Sequence, residues 1–107
     1  MEKIYNKLVR DNIPEIIKNN GETPITRILN DDDYKKELEI KLNEEYQEVL
    51  EARGKDRIEE LADMLEIIKS LAELENSSID EVIKVSKNKV LKRGGFSKRV
   101  FLEKVTY

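Results

Sequence analysis

The sequence predicts a mainly α-helical domain, an antiparallel helical bundle with a small two-stranded β appendage. Three observations predict it. Two long stretches, about 31–52 and about 56–74, repeat apolar residues at helical spacing. A short break at Gly54 separates them, so the two helices fold back on each other. Two shorter runs, 25–29 and 99–107, are rich in β-formers and read as strands.

In chain order, residues 1–10 read as an extended or irregular arm. Asp11 or Asn12 can cap a short helix over about 14–18, with Pro14 in the first turn, where its missing N–H costs little. Asn19-Asn20-Gly21 stops it. After Pro24, Ile25-Thr26-Arg27-Ile28-Leu29 is expected to be a strand. Asn30 or Asp31 caps the first long helix, and Asp32 and Asp33 suit its first turn. Gly54 is expected to end that helix. Asp56 is expected to cap the next, with Glu59 in the capping-box position, and the helix runs to about Leu74. Asn76-Ser77-Ser78 breaks the pattern. Ser78 or Ser77 caps a fourth helix that stops at Arg93-Gly94-Gly95. From Arg99 to Tyr107, Val100, Leu102 and Val105 alternate with polar residues, a terminal strand that could pair with residues 25–29.

The 107 residues suit one domain, 1–107, with no linker, repeat or low-complexity segment. Charged residues make up 40% and aromatics 6%, so the core must be thin and built from Leu, Ile and Val. Such a chain is expected to bury further apolar surface as a homo-oligomer, a dimer or tetramer. A net charge of −3 gives no reason to expect a nucleic-acid polymer as partner. Without cysteine or histidine there is no disulfide, no thiol nucleophile, no Cys-based zinc site and no histidine base. No apolar run is long enough to cross a membrane and the N-terminus does not read as a signal peptide, so the expected compartment is cytoplasmic. Any chemistry has to run on carboxylates, Lys, Arg, Tyr, Ser, Thr, Asn and a metal.

Four carboxylates stand in two pairs at a spacing of three, Glu45 with Glu48 and Glu60 with Asp63. On a helix both members of a pair share one face. With Leu38 set at zero, Val49 falls at about 20°, Leu42 at about 40° and Glu45 at about −20°, inside the apolar stripe. On the next helix Ile58, Leu61, Leu65, Met64 and Ile67 span roughly +60° to about −120°, with Glu60 at about −100° and Asp63 just outside. Antiparallel packing across the Gly54 break brings the two pairs toward each other. Buried carboxylates facing carboxylates repel, and a divalent cation removes the conflict. Oxygen-only ligands favour Mg²⁺, with Mn²⁺ an alternative.

The plainer reading is a solvated acidic face with Lys partners at i, i+4, which is common on helices this charged. Glu45 within the stripe argues against it. Glu44 and Glu59 fit it better, as surface and cap residues, and Tyr46 reads as packing. Lys7, Arg10, Lys89 and Arg93 would each pass for surface charges, but with a metal they form the cationic half of a polyphosphate site. Gly94-Gly95 is most simply a helix stop, and no P-loop pattern is present. Two other functions fit the same residues: a non-catalytic nucleotide-binding module, and a helical oligomerisation module in which Glu45 pairs with Lys or Arg of a neighbouring helix.

The run Lys41-Leu42-x-Glu44-Glu45-x-x-Glu48, followed by Glu59-Glu60-Leu61-Ala62-Asp63, resembles the E-x-x-E … E-x-x-D signature of the all-α nucleotide pyrophosphohydrolases, which include MazG-like proteins. Tyr5-Asn6-Lys7-Leu8-Val9-Arg10-Asp11-x-Ile13-Pro14-Glu15-Ile16-Ile17 resembles the start of a small single-domain branch, the phosphoribosyl-ATP pyrophosphohydrolase-like proteins. Asn88-Lys89-x-x-x-Arg93-Gly94-Gly95-Phe96 resembles that branch's C-terminal phosphate- and base-contacting segment. The resemblance implies Mg²⁺-dependent cleavage of a nucleoside triphosphate, or a related nucleotide, between its α- and β-phosphates, in a house-cleaning role against non-standard nucleotides. It implies Glu45, Glu48, Glu60 and Asp63 as metal ligands. Glu48, or else Glu45, would orient or deprotonate the attacking water. Asn88, Lys89 and Arg93 would contact phosphate or sugar, with Lys7 and Arg10 as a further phosphate clamp.

Overall fold

The computed structural model describes residues 1–107 and contains four helices: α1 (Ile13–Asn19), α2 (Asp31–Glu51), α3 (Gly54–Leu74) and α4 (Ile79–Arg93). The helical bundle expected from the periodicity is present. The two-stranded β appendage is not: residues 25–29 and 99–107 form no strand. A β-rich run becomes a strand only with a neighbour to bond and a face to bury. Neither is supplied within the chain, where Ile28 is 97% and Phe101 82% exposed.

Local chemistry sets most helix ends. The Asn30 side chain accepts a hydrogen bond from the Asp33 N–H at 2.8 Å and starts α2. The Ser78 hydroxyl accepts from the Glu81 N–H at 3.1 Å and starts α4. At the end of α3, Asn76 takes a left-handed conformation, φ 58°. The Ser77 N–H then reaches back to the Ala72 carbonyl and the Asn76 N–H to the Glu73 carbonyl, a Schellman closure. Gly94, at φ 80°, ends α4.

The connection between α2 and α3 differs from expectation. Gly54 does not close α2 but opens α3, at φ 58°, and Asp56 lies inside the first turn rather than capping it. The clasp is Arg53. Its guanidinium donates to the Leu50 and Ala52 carbonyls, at 2.8 and 2.7 Å, two acceptors that the end of α2 leaves unbonded. One nitrogen, Nη1, makes both bonds, and only Ala52 and Arg53 connect the two helices.

That short connection makes α2 and α3 an antiparallel hairpin, the principal packing contact of the molecule. Leu38 and Val49 of α2 and Ile67 of α3 are the only three buried residues of 107, so the core is confined to this hairpin. Helix α4 touches α3 but not α2, and α1 packs against none of the other helices. No helix is long and apolar enough to cross a membrane.

Candidate metal centre

The hairpin positions the carboxylates. Glu45 stands between the buried Leu38 and Val49 on the inner face of α2 and is itself half-buried. Glu60 and Asp63 stand one turn apart on α3, also half-buried. One oxygen from each of Glu45, Glu60 and Asp63 can be chosen so that all three lie within 4.8 Å of one another. Glu48, one turn along α2, is more exposed and stands beside Glu60.

The electrostatics are unbalanced. Oε2 of Glu45 and Oε2 of Glu60 are shut off from solvent and have no hydrogen-bond partner. Buried acceptors are almost always satisfied, so two side by side mark a place that wants a cation or a proton. In the metal-free protein a proton answers part of that demand. The Glu60 carboxyl is raised from its usual 4.5 to about 7, first by sharing a proton with Glu48, then by loss of hydration, then by sharing with Glu45, with the repulsion of both neighbours adding.

The single cation at the cluster is Arg10, whose Nη2 donates to Oδ1 of Asp63 at 2.7 Å. It comes from the arm ahead of α1, where the Arg10 carbonyl accepts the Ile13 N–H at 3.1 Å. The other ion pair of the chain, Lys69 with Glu66 at 3.9 Å, lies on α3 away from these groups. Glu45 has no Lys or Arg partner within the chain.

Beside the cluster, at the turn of the hairpin, an open cleft of about 610 Å³ is lined by Glu48, Glu51, Ala52, Arg53, Asp56 and Glu60. Four carboxylates against one guanidinium repel a polyphosphate unless a cation lies between. The donor set is all oxygen, which suits Mg²⁺ or Mn²⁺ over softer ions. The orphaned oxygens of Glu45 and Glu60, together with Asp63, would fit such an ion.

No family model matches the chain, and no solved structure does. The chain is similar to an uncharacterized protein of Mycolicibacterium smegmatis, 48% identical over 50 residues, 47% of this chain and 51% of that protein. The chain thus spans about half the length of the curated relative it matches. The similarity names no activity, and the chemistry rests on the geometry of the site.

The residues singled out from the sequence divide into two groups. Glu45, Glu48, Glu60, Asp63 and Arg10 come together. Lys7 lies exposed in the arm and makes no ion pair. Asn88, Lys89 and Arg93 are exposed on the last turns of α4 and have no side-chain bond to the carboxylates. Lys89 instead lines a shallow groove along α4 with Ser77, Glu81, Val82, Val85 and Ser86. Sequence reasoning missed Arg53, Glu51 and Asp56 as lining of the cleft. An arginine directly after an apolar-periodic helix was the available signal for the first.

Proposed function

We propose that the chain is a Mg²⁺-dependent nucleotide pyrophosphohydrolase of the MazG-like kind, cleaving a nucleoside triphosphate or related nucleotide between its α- and β-phosphates. The observation that carries this reading is the pair of orphaned oxygens, Glu45 Oε2 and Glu60 Oε2, within a cluster whose ligand atoms lie within 4.8 Å. When bound, the divalent ion polarises phosphoryl oxygens and makes water a better nucleophile at neutral pH. Glu45, Glu60 and Asp63 would hold it, with Glu48 beside them. Glu48, the most exposed of the four, reaches the cleft and can orient the water and take its proton. The water oxygen bonds to phosphorus as the P–O bond between the α- and β-phosphates breaks, giving a monophosphate and pyrophosphate. Arg10, half-exposed and using one of its five N–H donors on Asp63, keeps the others for phosphate oxygens. Asn88, Lys89 and Arg93 serve the substrate only if α4 reaches a cluster. The same reading has the chain acting as a homo-oligomer, cytoplasmic, on damaged or non-standard nucleotides.

The test is pyrophosphate release from canonical, deoxy and damaged nucleoside triphosphates, with Mg²⁺ and then with EDTA. Metal-dependent release from at least one substrate is expected. Glu45→Gln and Asp63→Asn should each abolish it while far-ultraviolet circular dichroism keeps its helical signal. Turnover retained in both variants would remove the carboxylates from the mechanism. Nucleotide binding without turnover would instead identify a non-catalytic binding module.

A further inference from the structure

A chain of 12.5 kDa folded into a compact monomer exposes about 6,200 Å². This chain exposes 10187 Å², an excess of about 4,000 Å² over that scaling. Its radius of gyration is 18.6 Å and its long axis 66 Å, where a compact chain of this length has a radius of about 13 Å. The excess is concentrated. Every residue from Asp80 to Tyr107 is exposed, although α4 carries Val82, Ile83, Val85 and Val90 at helical spacing and the tail carries Phe96, Phe101 and Leu102. The hairpin shows apolar side chains of its own outside its core, among them Ile58, Leu61 and Leu65 of α3.

Charge sorts the two surfaces. Residues 31–74, the hairpin, hold fifteen acidic side chains against seven basic ones. Residues 79–107 hold eight basic side chains against three acidic ones. The arm formed by α4 and the tail therefore matches the hairpin in both apolar character and sign. Yet the Schellman closure at Asn76 directs α4 off the end of its own hairpin, and α4 reaches only α3.

We propose that the arm, residues 79–107, docks on the α2–α3 hairpin of a second copy of this chain. The excess area per chain is ample to supply the roughly 1,000–2,500 Å² that each partner buries in a large homodimer. Opposite charge steers the encounter and sets its orientation, and the apolar faces supply the attraction. The inference gives the homo-oligomer of the proposed function a specific interface and does not rest on the carboxylates being a metal centre. It does bear on that reading: the arm brings Lys89 and Arg93 to an acidic hairpin that their own chain keeps from them.

The test uses the native chain. Sedimentation of the purified protein at ~50 µM, a concentration where a large interface is saturated, gives its mass. Carbodiimide crosslinking of an equimolar mixture of ¹⁴N- and ¹⁵N-labelled protein then shows which surfaces meet. The expected result is a dimer or larger species, with mixed-isotope crosslinks joining lysines of residues 84–104 to acids of residues 31–74. The double variant V90D/L102D should lower the mass to that of one chain with helical content kept. A monomer, or crosslinks of arm to hairpin only within one isotope, would overturn the proposal. So would an assembly joined arm to arm. None of these outcomes depends on nucleotide turnover, so the assembly and the enzymatic reading fail separately.

Discussion

At the scale of single residues, the behaviour of Glu60 links stability, pH and metal. Its carboxyl is held up at about 7 against a usual 4.5. A group raised on folding favours the folded state while protonated and opposes it once ionised. In EDTA, the contribution of Glu60 should therefore be full below about pH 4.5 and lost as pH rises through 7. Melting temperatures across that window should fall for the native chain and flatten for Glu60→Gln. Mg²⁺ should reverse the loss at pH 8, because the ion takes the place of the proton. By the same competition, Mg²⁺ affinity read by calorimetry should weaken as pH drops below 7. A melting curve that is flat with pH in EDTA would mean that Glu60 is not crowded by Glu48 and Glu45. Arg10 makes the opposite case. Its pair with Asp63 is half-exposed, and such pairs contribute at most about 1 kcal/mol. Arg10→Ala should leave melting nearly unchanged while weakening nucleotide binding several-fold. A large loss of stability would instead give the arm a structural role.

At the scale of elements, the connection between α2 and α3 determines whether the carboxylates meet. Two residues join the helices, and Gly54 begins α3 in the left-handed region. A Cβ at Gly54 would touch nothing within 4 Å, so Gly54→Ala carries backbone strain alone. It should cost about 1–2 kcal/mol in denaturant unfolding. Arg53→Ala uncovers two carbonyls at the end of α2 and should be destabilising by a similar amount, about 1–2 kcal/mol. Ser78→Ala removes the cap of α4 and should cost about 1 kcal/mol of helix stability. Helix α4 lies outside the core, so that loss should appear as faster amide exchange in residues 79–93 rather than as global unfolding.

At the scale of the whole molecule, three buried side chains carry the core. Ile67→Ala should therefore remove about 2–5 kcal/mol, a large part of the stability of a small domain. If the exposed arm docks on a second copy, as proposed, much of the remaining stability comes from association. The melting temperature should then rise with protein concentration, as mass action requires when only the folded state assembles. Concentration-independent melting from 1 to about 100 µM, at fixed pH and salt, would count against it.

Periodicity and capping chemistry made the four helices legible. Asn30, Ser78 and Gly94 mark ends that depend only on neighbours a few residues away. The carboxylate pairs were legible for the same reason: helical spacing puts Glu45 among apolar neighbours, and a short loop returns α3 beside α2. The start of α3 was misread, because Gly54 opens that helix in the left-handed region and leaves Asp56 inside its first turn, with no side-chain cap to mark the boundary. The strands at 25–29 and 99–107 were misread too, since β propensity describes a fit to a neighbouring surface and this chain offers none. The sequence by itself determined the helices, the acidic pairs and the absence of thiol and imidazole chemistry, all of which follow from local spacing and residue type. Only the tertiary structure decided that Arg10 reaches Asp63, that two carboxylate oxygens lose water without gaining a donor, and that Asn88, Lys89 and Arg93 stand apart from the cluster. Those are distances between residues far apart in the chain, and they depend on how helices pack rather than on how each one forms.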